Sequence, residues 1–473
     1  MSISMYRIRS ITQILGDYQE LEKQQIYFAP FDELNDPLEG ACEMLWQGDS
    51  IVWRNFLCHY LLCLNNKFMV AILSDGDGDF AKSEKDIFVQ MAERNLPGRY
   101  GDVFKQVKSH FLSKREIALL VECLSERKIP IQRNELSYHL KTINRTALHS
   151  IVFVHIENGL YQDSADLLGF LHDDGDSIIT SITALKNAND EDVLEELFRY
   201  FNLAHEQLTL QQHYSSRTAE SDSKLAYLLI DFPRDFSTQM DELVYSKWYL
   251  ACFMSSCTNT SIWGNYGSNH TGICLKFKTY EKDNKLFLPI ERPVGFNSSG
   301  LIIEPREMYF DKVEYGNDRV RVDFFRSILT LPTTVLFEEW YSDGAGAISV
   351  CADFLKRIDI DQEERKKYWD NLKRIATSKS IDWKDENEYR LILTPLLIDY
   401  PEKKDRLFRY DFNDLEGIIF GMRTPIDAKT EILAILDRKC QEHKRHDFKI
   451  YQADYDHKKK EMVIDELKLI QFK

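Results

Sequence analysis

Between about residues 50 and 243 the chain is poor in Gly and Pro, and Leu, Ile and Phe recur there at three- and four-residue spacing. That spacing lines apolar side chains along one face of a helix. Helices are expected over Val52–Asn65, Asp86–Arg94, Lys114–Arg127, Asn134–Ala147, Leu160–Leu171, Asp192–Leu210 and Ser223–Ile230. Both flanks instead alternate like strands. The pattern predicts an α+β core made of residues 1–45 and 245–473, interrupted by a mostly helical insertion over 50–243.

The flanks carry the finer reading. Met5–Arg9 alternates as a strand, Ile11–Gln24 has helical spacing, and Ile26–Ala29 is a second short strand that Asn35-Asp36-Pro37 terminates. Further on, Trp248–Met254 and Gly272–Phe277 read as a strand pair, with more strands at Glu388–Thr394, Leu415–Phe420 and Phe448–Tyr455. Thr330–Lys356, Asp361–Ala376 and Ala428–Cys440 read as helices.

Composition removes some classes of function. A formal net charge of −16 argues against a long nucleic-acid footprint. Nine cysteines without paired spacing fit reduced thiols in a cytoplasmic protein. The best apolar window, Phe56–Leu64, is too short to span a bilayer, so no membrane role is expected. P-loop, dinucleotide-fingerprint, nucleophile-elbow and zincin motifs are absent. Asp75, Asp77 and Asp79 begin like a calcium loop, but Phe80 stands where Gly is needed. Cys440, His443 and His446 have zinc-like spacing but read as a solvated helix, and no metal is expected.

Four segments are too polar for ordinary core, because unpaired polar groups are disfavoured inside. In Met5–Ser10, Arg7 and Arg9 share a strand face, either as solvated arginines of an edge strand or as a clamp for an anion or planar ring. Gln25–Glu39 holds Tyr27, Asn35 and Asp36. Ile262–Phe277 offers Trp263 and Tyr266 as stacking faces and His270 as an orienting group. In Trp383–Leu393, Glu386 and Glu388 form an E-x-E pair whose strand face Arg390 continues.

Taken in order, these segments resemble the bacterial family known as domain of unknown function 2971. The residues that carry the likeness are IYFAPFDELNDPLEG, then CFMSSCTNTSIWGNYGSNHTGICLKF from Cys252 to Phe277, then KSIDWKDENEYRLIL and LEGIIFG. The chain departs from the family at Ala29 and in the length of its helical block. IYFA and NEY also look like stretches of the ADP-ribosyltransferases, whose core is a split mixed or antiparallel β-sheet. That resemblance implies an NAD-consuming effector in anti-phage defence or a toxin–antitoxin pair, transferring ADP-ribose or hydrolysing NAD. Glu388, with Glu386 beside it, would then stabilise an oxocarbenium-like ribose. Arg9 or Arg7 would anchor the phosphates or the nicotinamide amide, with Arg9 in the catalytic set. Tyr27, Trp263 or Tyr266 would stack the nicotinamide, and Asn35, Asp36 and His270 would fix loops or meet the acceptor. NAD is then a substrate. The acceptor, whether protein, nucleic acid or small molecule, is left open, and the helical block is left as the place for a partner or regulator.

Two other readings stand beside this one. The first is a non-enzymatic module that binds a nucleotide or a nucleic-acid end. The second is a Mg²⁺ nuclease using Asp36, Glu39 and the E-x-E pair, which the want of a Lys at the usual place beside that pair disfavours.

Overall fold

The computed structural model describes residues 3–16, 18–73, 86–163, 166–172, 175–186, 190–216, 223–245, 247–298, 300–353, 355, 362–395, 398 and 400–472. Asp75, Asp77 and Asp79 lie outside them. The chain is a mixed helix and strand protein that divides into two compact units.

The first unit comprises residues 1–41, 247–319 and 370–473. Its main sheet has nine strands. Those that matter here are β1 (Ser4–Arg9), β2 (Gln25–Tyr27, in a second sheet), β3 (Ala29–Pro30), β4 (Tyr249–Met254), β5 (Ile273–Lys278), β6 (Asp311–Lys312), β7 (Glu388–Leu393), β8 (Leu415–Phe420), β9 (Lys449–Asp456) and β10 (Glu461–Glu466). The order is β6-β7-β4-β1-β5-β8-β9-β10, with β3 also on β4. Every pairing is antiparallel except β8 with β9. Strand alternation sends Met5, Phe253, Leu275, Leu391 and Ile418 to one core face. Ile8, Met254, Cys274 and Ile419 go to the other, around Trp263.

The two strands read as a pair, β4 and β5, do not pair with each other. β1 lies between them. It runs in full register with β5 from Ser4–Lys278 to Arg9–Ile273 but touches β4 at the single bridge Tyr6–Met254. Past that bridge β1 and β4 diverge, and the sheet opens. Ser10 begins a helix with a capping box to Gln13. The helix ends at Leu15, well short of the Gln24 its spacing predicts. Gly16 and the left-handed Gln19 and Gln24 stop it and turn the chain into β2.

The second unit comprises residues 42–246 and 320–369. Residues 320–369, read from sequence as part of the core, belong here. Arg321–Asp323 runs parallel to Glu43–Trp46, and Trp46 packs tilted on Phe324 while Trp53 and Phe56 meet Phe325 and Phe324 edge-on. Helices Ser50–Leu73, Gly98–Leu112, Arg115–Ser125, Arg133–Glu157 and Glu191–Ser216 dominate the unit. Asp86–Arg94, expected helical, is not. Among its described residues Thr330–Lys356 holds Thr333–Val335, a π-turn over Leu336–Trp340 and a 3₁₀ turn over Val350–Ala352 in place of one continuous helix. Helix Ser50–Leu73 is long and apolar enough to cross a membrane, and 61% of its most apolar window is buried inside the structure. Two of its buried amides are satisfied, whereas the indole N–H of Trp53 is buried without an acceptor among the described residues. Asn55 donates to the Trp340 and Ser342 carbonyls at 3.0 and 2.8 Å, and Asn65 donates to the Tyr100 hydroxyl at 2.8 Å.

Candidate functional site

The opening between β1 and β4 is the floor of a cleft of about 420 Å³ within the first unit. Arg7 spans the gap. Its guanidinium donates to the Cys252 carbonyl at 3.1 Å and the Tyr27 carbonyl at 2.8 Å, and it lies over the Phe253 ring. No carboxylate among the described residues pairs with Arg7, and its Nε is buried without an acceptor. Burial, then the neighbouring Arg9 charge, lowers its pKa to about 10, so it stays cationic at neutral pH. A buried guanidinium with two neutral acceptors and a spare N–H is an anion site in waiting.

Arg9 shares that strand face, but its charge is committed. It donates to both carboxylate oxygens of Glu20, which is 1% exposed. Of the two arginines, Arg7 is the one with charge to spare.

The opposite wall is a buried charge cluster. Glu388 begins β7 and directly follows Asn387, whose left-handed φ of 46° swings the chain from a 3₁₀ turn (Ile381–Glu386) into the strand. Glu386 therefore lies on the turn and not on the strand, correcting the shared-face reading of the E-x-E pair. The two carboxylates are gathered instead by a side chain that sequence reasoning missed. Lys379 Nζ stands 2.7 Å from Glu39, 2.8 Å from Glu386 and 3.3 Å from Glu388. Arg390 closes the cluster, donating to Glu388 at 2.9 Å and Glu39 at 2.6 Å, and to the Ala376 carbonyl. The Glu388 N–H donates to the Tyr315 hydroxyl at 2.8 Å.

Three carboxylates thus face two cations, leaving the cluster one negative charge in excess. Burial works to raise the Glu388 pKa, but Arg390 and then Lys379 pull it down to about 2, so it is ionised throughout the neutral range. For Glu39 and Glu386 burial wins, and both pKa values are raised. Burial opposes the charge on Lys379, yet Glu388, Tyr266 and the other carboxylates hold its pKa above the ordinary lysine value. The Cys252 thiol, opposite Arg390 across the strands, is pushed up by burial and touches Glu388.

The cleft brings together Arg7, Arg9, Tyr27, Asn35, Tyr266 and Glu388 from the residues singled out in sequence. Tyr18 adds a ring 5.3 Å from Tyr27, whose hydroxyl donates to Glu33. Four of the predicted residues fall outside it. Trp263 is wholly buried under the sheet, with its indole N–H on the Cys257 carbonyl at 2.7 Å, so no ligand can stack on it. His270 sits in a left-handed run with Ser268 and Asn269, and its carbonyl accepts the Arg423 N–H. The Asp36 side chain accepts the Leu38 N–H at 2.9 Å and holds the turn. Glu386 stands behind Glu388. The zinc-like trio separates too, since Cys440 is core.

The nuclease reading needs a correction as well. A Lys does stand at the E-x-E pair, brought by folding. It donates into the oxygens a divalent ion would need, as Arg390 does, and no metal-holding group of His, Cys, Asp or Glu occurs among the described residues. The signal for Lys379 in sequence was its place in KSIDWKDENEYR, a few residues before the Glu386 and Glu388 pair. No protein-family model, curated protein or solved structure matches the chain.

Proposed function

We propose that this cleft binds NAD and cleaves its nicotinamide–ribose bond, as an ADP-ribosyltransferase or NAD hydrolase acting in the cytoplasm. The observation that carries the reading is the charge layout. Arg7, which no carboxylate among the described residues pairs with, lines the same cleft as a cluster of three carboxylates and two cations. NAD is anionic at its diphosphate and cationic at its pyridinium, so it matches both ends. The likeness of the first-strand arginine, IYFA and NEY to ADP-ribosyltransferases supports the same assignment, as does the opening in the sheet.

The roles follow from the chemistry. Arg7 draws the diphosphate by its charge. Tyr18, Tyr27 and Tyr266 supply ring faces. As the C1′–N bond breaks, its electron pair leaves with neutral nicotinamide and positive charge develops on the ribose. Ionised Glu388, fixed by Arg390 and Lys379, lies where it lowers the energy of that charge. Water or an acceptor nucleophile then forms the new bond to C1′ and gives up its proton.

The test is nicotinamide release from NAD by the purified chain beside Glu388→Gln, with and without cell lysate. Release that the substitution abolishes supports the reading, and dependence on lysate reveals an acceptor. No release from folded protein under any condition would refute it.

A further inference from the structure

The cleft continues past Arg7 to a further carboxylate, Glu33, that the chemistry at Glu388 does not use. Contacts along the cleft walls fix its place. Glu388 touches the Cys252 side chain, and the Cys252 carbonyl accepts from one terminal nitrogen of Arg7. The other terminal nitrogen donates to the Tyr27 carbonyl, and the Tyr27 hydroxyl donates to Glu33 at 2.8 Å. Glu388 and Glu33 therefore flank Arg7, and all three line one cleft. With the nicotinamide ribose at Glu388 and the diphosphate at Arg7, the adenosine of NAD falls toward Tyr27 and Glu33. The Tyr18 and Tyr27 rings stand 5.3 Å apart there.

Glu33 is equipped to read that end of the molecule. Its side chain is 29% exposed. One carboxylate oxygen holds the Tyr27 hydroxyl, and the other accepts no hydrogen bond among the described residues. Lys403 Nζ and the Arg406 guanidinium each stand 3.7 Å from that second oxygen, too far to occupy it. Arg406 is buried over the Tyr27 and Tyr249 rings, and Lys403 is exposed at the rim, where solvent screens it. A carboxylate with an open oxygen accepts a ribose 2′-hydroxyl in a charge-assisted hydrogen bond. Acidic side chains distinguish NAD from NADP in this way in other folds. A 2′-phosphate at the same place meets like charge and brings no hydroxyl proton. We propose that Glu33 reads the adenosine 2′-hydroxyl and selects NAD against its 2′-phosphorylated form, NADP, an inference that rests on the reading of the cleft as an NAD site. The two cations sharpen the expectation. They balance Glu33 in the free protein, and once its charge is gone they face the ribose alone, which turns the preference toward the phosphate.

The test is steady-state nicotinamide release by the full chain from NAD and from NADP, with and without lysate, taking Glu388→Gln as the blank. The wild type favours NAD in kcat/KM by at least about tenfold. Glu33→Gln, whose amide oxygen still accepts the Tyr27 hydroxyl, lowers that ratio by at least about tenfold. The change is carried mainly by KM, which rises for NAD and falls for NADP. Lys403→Gln, at an exposed side chain that the fold does not need, moves the ratio the other way by about threefold, the size of an exposed charge contact. Equal use of the two dinucleotides by the wild type, a preference for NADP, or a ratio that Glu33→Gln leaves unchanged overturns this inference and leaves the NAD reading standing. No release from either dinucleotide by folded protein refutes the NAD reading itself, and the role of Glu33 with it.

Discussion

Replacing Lys379 by Met removes the one ammonium that three buried carboxylates share. Lys379 and Met are similar in length, so the perturbation is mainly electrostatic. Its contacts are 2.7, 2.8 and 3.3 Å, and its side chain is 1% exposed. Without it, Glu39, Glu386 and Glu388 face Arg390 alone, and the cluster goes from one to two excess negative charges. Removing one partner of a buried ion pair typically costs about 3–5 kcal/mol. The sign of the pH dependence follows. Glu39 and Glu386 already have folded pKa values raised by burial, and losing Lys379 raises them further. A carboxyl whose folded pKa lies above its unfolded value favours the folded state at low pH and loses that advantage as pH rises through the folded pKa. The variant is therefore penalised most at alkaline pH and partly rescued on acidification, by up to about 1.4 kcal/mol per pH unit for each proton taken up. Urea unfolding of both proteins at pH 5.5 and 8 measures this. In thermal terms, about 3–5 kcal/mol in a unit of this size is roughly 6–20 °C at pH 8. A loss below about 1 kcal/mol, or a loss equal at the two pH values, refutes the account of the cluster.

Further outcomes are specific to single residues. Arg7→Lys keeps the charge but cannot reach two carbonyls while offering a third donor. It should raise the KM for NAD at least about tenfold with a smaller change in kcat, by steady-state nicotinamide release. Arg9→Ala leaves Glu20 buried without its partner and should destabilise by about 3 kcal/mol or more in urea, whereas an Arg9→Ala/Glu20→Gln double variant recovers much of that. Trp263→Phe should lower stability by about 1–3 kcal/mol through the lost indole hydrogen bond and volume, with the KM for NAD unchanged because the ring does not reach the cleft. Asn387→Gly should be nearly neutral, and Asn387→Val should cost about 1–2 kcal/mol at the left-handed turn that aims Glu388.

Much of the local structure was legible in the residues. Leu415–Phe420 is a strand at its predicted bounds, and β1 and β7 lie within a residue of theirs, because their alternation matches the strand period. The helices over Lys114–Arg127 and Asn134–Ala147 also follow their spacing. What failed is instructive. The helix after Ser10 stops at Leu15 because left-handed residues divert the chain, and no periodicity reports φ. Thr330–Lys356 has helical apolar spacing, but Trp340 there packs on the His59 and Phe324 rings and the Tyr341 hydroxyl donates to the Phe325 carbonyl, contacts that a helical periodicity does not report. Trp263 and His270 looked like ligand groups because both belong to a polar stretch. Tertiary packing put the indole wholly inside the sheet's lower core and left His270 to a turn.

The sequence by itself determined the strand and helix periods, the interruption of the strand-rich flanks by a helical block, and the placement of Arg7, Arg9, Glu388 and Arg390 on strands. Those are local properties, fixed by 2- and 3.6-residue repeats and by turn chemistry. Only the tertiary structure decided that β1 lies between β4 and β5, that the sheet opens beside Arg7, and that Glu20 pairs with Arg9 while no carboxylate among the described residues pairs with Arg7. It alone brought Glu39 and Lys379, 340 positions apart, into one cluster with Glu388. Strand order and charge pairing depend on which distant surfaces fit together, and a chain's own neighbours along the backbone carry no record of that.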